Sequence, residues 1–189
     1  MKRAALLLLL VGVAGCAAPR AIEAPQTALL PLPPPPPAPS YVAPPPPVVP
    51  READFVVVDK SDRTLVLYNQ GRPFRTYQGL QLGGDPAGAK RFEGDGRTPE
   101  GRYTIDYRNP RSAYHLSLHI SYPSPADSEI AAAYRRSPGG EIFIHGQPNA
   151  LADGREPGDW TDGCIALADA EIEELWRLVP DGTPIQIRP

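Results

Sequence analysis

The sequence predicts a mostly β domain with two helices, an α+β fold, occupying residues 52–189 of the 189-residue chain. Three observations point there. Short β-branched and aromatic runs, bounded by Gly, Asn and Pro, recur from Phe55 onward. Two stretches read as helices, the second with the spacing of an amphipathic one. A proline-dense segment precedes the first strand and has too little apolar surface to join a core.

The elements follow in order. Lys2 and Arg3 start the chain, and Ala4 to Val13 is an apolar run. That run is too short for a spanning helix, which needs roughly twenty residues. Residues 1–15 are therefore read as a secretory signal peptide. It ends in Val13-Ala14-Gly15-Cys16, which resembles a bacterial lipobox, whose cysteine is lipidated and begins the mature chain. Ala17 follows in place of an acidic residue. By resemblance to Gram-negative lipoproteins, this implies a periplasmic protein anchored by Cys16 at the outer membrane.

Residues 16–51 read as the lipidated N-terminus and a stiff tether. Pro33 to Pro37 and Pro44 to Pro47 are unbroken proline runs that favour polyproline II. At roughly 3.1 Å per residue, the stretch from Pro31 to Pro50 reaches about 60 Å. Such a reach suits a membrane-anchored domain whose target is the cell wall.

Within the domain, Phe55 to Val58, Thr64 to Tyr68 and Phe74 to Gln78 read as strands, the last two joined by a turn at Asn69 to Gly71. Gly79 to Gly84 leads toward a loop. Arg102 to Tyr107 and Tyr114 to Ser121 follow as strands. Ile142 to His145 and Cys164 to Leu167 are short buried ones, and Pro184 to Ile187 closes the chain. One helix is expected over Pro125 to Arg135, with Asp127 or a neighbour at its cap. The other starts at Asp169 and runs through Trp176, with Ile172, Leu175, Trp176 and Val179 at helical spacing. Glu171, Glu173 and Glu174 are its solvated face.

The formal net charge is only −3, and no Lys/Arg stripe appears. Nucleic acid is thereby excluded as a partner. Of two cysteines, Cys16 is assigned to lipid, which leaves Cys164 unpaired. A free thiol in an oxidising compartment points to a reactive role.

The chemistry sits between Ile142 and Leu167. His145-Gly146 closes one apolar run, and Thr161-Asp162-Gly163-Cys164 opens the next. A thiol on a glycine-preceded turn and a histidine ending a strand are the parts of a cysteine acyl-transfer site. His145 is expected to take the thiol proton and give a thiolate at neutral pH. Backbone N–H groups around Gly163 and Cys164 would hold the oxyanion. No acid in the motif stands ready to orient the imidazole, so a backbone carbonyl near Gly146 takes that part.

These motifs resemble the L,D-transpeptidase catalytic domain of the YkuD type, in which a histidine precedes Ser/Thr-X-Gly-Cys and an aliphatic residue. Here those are His145, Thr161, Gly163, Cys164 and Ile165. Gly94-Asp95-Gly96-Arg97-Thr98-Pro99-Glu100-Gly101 is similar to the family's Gly-Asp-x-x-Thr-Pro-x-Gly loop, and Leu118 to Pro123 and the Trp160 to Trp176 stretch fit as well. The resemblance implies a β-sandwich-like fold and no metal or organic cofactor. It implies peptidoglycan stem tetrapeptides as substrate, attacked at the L-centre of a diamino acid ahead of a terminal D-alanine. As acyl acceptor the resemblance implies another stem's amine or a protein lysine. Thr161, His119 and Arg97 are candidate substrate contacts, with Asp95 and Thr98 tying down loop N–H groups.

Two positions depart from the family. Asp162 stands where His or Ser is common, and Ala166 where Arg is common; an arginine there could hold a substrate carboxylate. In this the chain looks more like the YafK-type subgroup, which implies water as an alternative acceptor and an L,D-peptidase or amidase activity. A zinc site built on His115, His119 and His145 is disfavoured. His115 and His119 would share one strand face about 13 Å apart, too far to bind one ion. A catalytically silent, peptidoglycan-binding lipoprotein would have no use for the His145 and Cys164 pair.

Overall fold

The computed structural model describes residues 52–151 and 154–189. The expected signal peptide, Cys16 lipidation site and tether lie outside the described residues.

Eight strands and two helices form the domain: β1 (Phe55–Asp59), β2 (Thr64–Asn69), β3 (Arg72–Gln78), β4 (Gly101–Asn109), β5 (Ser117–Ile120), α1 (Pro125–Ala133), β6 (Ile142–His145), β7 (Ile165–Ala166), α2 (Asp169–Leu178) and β8 (Thr183–Arg188). The strands make one sheet in the order β3-β2-β1-β8-β4-β5-β6-β7. β8 lies between β1 and β4, parallel to the first and antiparallel to the second. The chain leaving β3, at one edge, bridges Gln81 to Ala166 in β7, at the other, and Gly83 to Thr161. The sheet thus curls until its two ends meet, and the core fills the interior.

Alternation decides what enters that core. Val56, Val58, Leu65, Leu67, Ile105, Ile144 and Ile185 are fully buried, as period-two strands with one covered face require. Leu80 and Leu82 join them from the stretch after β3. Ile172 and Leu175 turn the apolar side of α2 inward.

Several element boundaries moved, those of α1, α2 and β5 among them. α1 begins at a capping box in which Ser124 and Asp127 bond each other's backbone N–H, and it stops at Ala133. Arg135, expected inside it, has a φ of 55°. α2 runs two residues beyond Trp176, to Leu178. The expected strand from Tyr114 begins only at Ser117, because His115 sits at a φ of 64° and turns the chain. His115 and His119 therefore do not share a strand face.

Candidate active site

β6 sends Ile142 and Ile144 into the core, so Phe143 and His145 face the other way. Its parallel neighbour β7 pairs Ile144 with Ile165 and His145 with Ala166. Paired residues on adjacent strands share a face, so Cys164, one residue before Ile165, lies abreast of Phe143 on the side of His145. The core-facing isoleucines of two short strands thus place the thiol and the imidazole on one surface.

Two cavities meet there. The larger, about 510 Å³, is walled by Lys90, Glu93, Trp160, Thr161 and Asp162. The smaller, about 270 Å³, is walled by Asn109, Ser112, Ser117 and Phe143. Tyr114, Glu141, His145 and Cys164 line both.

His145 is 3% exposed. Its Nδ1 lies 2.7 Å from the Gly146 carbonyl oxygen. A carbonyl only accepts, so Nδ1 carries the proton and Nε2 is the free acceptor. This is the backbone orientation expected from the absence of an acid. The Tyr114 and Trp160 rings pack against the imidazole with centroids 4.7 and 5.6 Å away. Burial holds its pKa below the ordinary value, against the opposing Gly146 bond. Gly146 fits only as glycine: a Cβ would lie 2.6 Å from Asp169 Oδ1 and 2.9 Å from His115 Cβ.

Cys164 is a free thiol. Burial pushes it up to about 11; the Asp162 and Glu141 charges push the same way, and the Phe143 N–H and Lys90 oppose them. Phe143 N donates to Sγ at 3.4 Å, and the thiol donates to the Glu141 carbonyl at 3.6 Å. The thiolate expected at neutral pH is therefore not the resting form. Both partners are uncharged, because neither charge is solvated in this wall.

Thr161 braces the turn that presents the thiol. Its hydroxyl donates to the Cys164 carbonyl at 2.8 Å and accepts the Gly163 N–H at 3.2 Å. Thr161 thus lines the larger cavity with a hydroxyl already committed to the turn, and the Gly163 N–H is committed too. The Cys164 N–H has no hydrogen-bond partner among the described residues. Gly163 has a φ of 125°, and a Cβ there would lie 2.5 Å from the Arg97 carbonyl. Asp159, two residues before Thr161, accepts both guanidinium bonds of Arg63 and the Leu82 N–H.

The other expected contacts lie elsewhere. Arg97 pairs with Asp85 at 2.9 Å and offers the site its backbone, against Gly163, and not its side chain. His119 bonds Asp106 at 2.6 Å and stacks on Tyr107, outside both cavity walls. His115 meets Glu173. The loop reading of Asp95 and Thr98 matches their bonds: Asp95 accepts from Arg91, Phe92 and Arg97 N–H, and Thr98 from Gly83 N–H. Sequence reasoning missed Lys90, Glu93, Tyr114 and Glu141. Only Glu141 carried a signal, since Gly139-Gly140 directly precede it and β6.

Comparison with curated proteins gives no match. Among solved structures, the helical cell shape determining protein Pgp2 from Campylobacter jejuni aligns at 28% identity and a TM-score of 0.58, over 71% of this chain and 46% of that one. Bd1075 from Bdellovibrio bacteriovorus aligns at 23% identity and a TM-score of 0.50, over 73% and 48%, a likeness of fold. The chain spans about half the length of these proteins. A family model described as the L,D-transpeptidase catalytic domain (YkuD) matches residues 53–187, nearly the whole described fold. The chain therefore belongs to the YkuD-type L,D-transpeptidase catalytic domain family.

Proposed function

We propose that the chain is a peptidoglycan L,D-transpeptidase that works through a Cys164 thioester on stem tetrapeptides, cross-linking stems or joining a protein lysine to the wall. One observation carries this reading. Cys164 and His145 share a face of two parallel strands where two cavities meet, room for an acyl donor and an acceptor.

The steps follow from the geometry. As Sγ attacks the peptide carbonyl, Nε2 takes the thiol proton, so the charge pair forms only during the reaction. The Cys164 N–H is free to meet the oxyanion. Collapse breaks the C–N bond, and the imidazolium returns its proton to the departing amine. An acceptor amine then attacks the thioester, losing its proton to His145, and the sulfur leaves and is reprotonated. Glu93, Glu141 and Asp162 favour a cationic acceptor over an anionic one.

Asp162 and Ala166 support a second reading, in which water is the acceptor and the product is a shortened stem. Mass spectrometry of muropeptides incubated with the protein separates the two: new cross-links mark the transpeptidase, shortened or released species the hydrolase. Cys164→Ala should abolish either product; surviving activity would refute the thioester. A carbapenem presents a strained carbonyl to the same thiol and should add its mass to the wild-type protein and not to Cys164→Ala.

The chain acts in the periplasm, held at the outer membrane by lipid on Cys16 and carried to the wall by residues 16–51. Metabolic labelling with a lipid precursor tests this: Cys16→Ala should lose the label, and an unlabelled wild type would refute it. By likeness to Pgp2, the wall chemistry serves cell shape.

A further inference from the structure

Lys60 and Lys90 are both buried, each 4% exposed. A lysine ammonium has three donors, and a buried donor left unmet costs free energy. At Lys60 all three are met by protein: the Gly88 carbonyl at 2.6 Å, the Thr98 carbonyl at 3.1 Å and Glu100 Oε1 at 2.8 Å. That lysine is a brace. At Lys90 the hydrogen-bond partner among the described residues is Asp95 Oδ1, at 3.0 Å. Asp95 is already satisfied, accepting three backbone N–H groups as well. Burial opposes the ionisation of Asp95, but these bonds outweigh it and keep the carboxyl below its ordinary value.

Lys90 lies in the wall of the larger of the two cavities that Cys164 lines. Among the described residues it is the only lysine or arginine lining either catalytic cavity. The charges facing it there are Glu93, Glu141 and Asp162. Asp95 offsets the Lys90 charge, so what this corner offers an anion, against those three carboxylates, is the ammonium's remaining donors. Ala166 offers no charge, and Arg97 lines neither cavity.

We propose that Lys90 is a specificity-determining residue that anchors the free carboxylate of the acyl donor, with its unmet donors completed by the carboxylate oxygens. The inference rests on the peptide acyl-transfer reading of the site and adds the direction in which the donor lies. The carboxylate end sits toward Lys90, and the scissile carbonyl toward Cys164.

The test compares two acyl donors, one ending in a free carboxylate and one capped as the carboxamide, by kcat/KM and by Cys164 acylation in intact-mass spectra. Wild type should favour the free acid by roughly tenfold to a hundredfold, as one charge-assisted hydrogen bond predicts. In Lys90→Gln the ratio should collapse toward one, mainly through KM, and Lys90→Arg should restore part of it. Equal loss on both donors in Lys90→Gln would make Lys90 a structural brace of the Asp95 loop and overturn the proposal. A wild type that does not distinguish the donors would overturn it even if the variants do not fold. Acylation of neither donor by the wild type would sink the acyl-transfer reading itself.

Discussion

At His145 the Gly146 carbonyl fixes the tautomer, and burial by Tyr114 and Trp160 keeps the imidazole neutral. The sign of the pH dependence follows. The proposed base works only when Nε2 is unprotonated, and its pKa lies below the ordinary 6.5. Acylation of Cys164 should therefore rise with pH through a midpoint below 6.5 and be flat at neutral pH. The thiol's own ionisation, pushed up to about 11, adds nothing there. Intact-mass rates of β-lactam acylation across pH give the profile; a rise that begins only above pH 8 would mean that attack awaits a preformed thiolate. The same lowered pKa makes the neutral imidazole a stabilising feature above about pH 6.5 that is lost as pH falls through the folded value.

At the scale of elements, the site depends on two turns that admit no side chain. In Gly163→Ala the new Cβ meets the Arg97 carbonyl at 2.5 Å in a backbone at φ 125°. The expected cost is about 1–3 kcal/mol, with a loss of acylation larger than the loss of stability, because the thiol moves with the turn. Thermal unfolding and acylation rate, measured on one preparation, check both halves. Asp159 ties the approach to Trp160 and Thr161 onto Arg63 and Leu82. Asp159→Ala should cost roughly 1–3 kcal/mol as a lost charge-assisted bond network. It should also slow acylation at least tenfold; an unchanged rate would show that Thr161 and its neighbours hold the turn alone.

At the scale of the molecule, the centre of the sheet is assembled from the two ends of the domain, since β8 sits between β1 and β4. Such pairing is non-local and is completed only when the last residues arrive. Removing residues 183–189 should therefore abolish cooperative unfolding instead of trimming an edge, as near-UV circular dichroism on heating would show. Among the described residues, the buried core runs from Ala53 to Ile187. On the proposed tether reading of residues 16–51, a protein beginning at residue 52 should melt within about 2 °C of the longer chain.

Much of this was legible from composition and period. The alternation in β1, β2 and β6 and the helical spacing in α2 are local patterns, and burial follows them directly. Cys164 and His145 were legible because their residue types and glycine neighbours are chemically specific. The run from Tyr114 was misread because a left-handed His115 leaves no mark in a sequence of strand-forming residues. His119 and Arg97 were over-read because a sequence does not show that Asp106 and Asp85 occupy them. Lys90, Glu141 and Tyr114 line the thiol's cavity from three separate segments, so only the curled sheet could assemble them. By itself the sequence determined most of the elements, the family and the candidate pair Cys164 and His145, since these depend on local order. Tertiary structure decided the protonation state of that pair and the charges around it, since desolvation and ion pairing depend on which distant residues come to lie together.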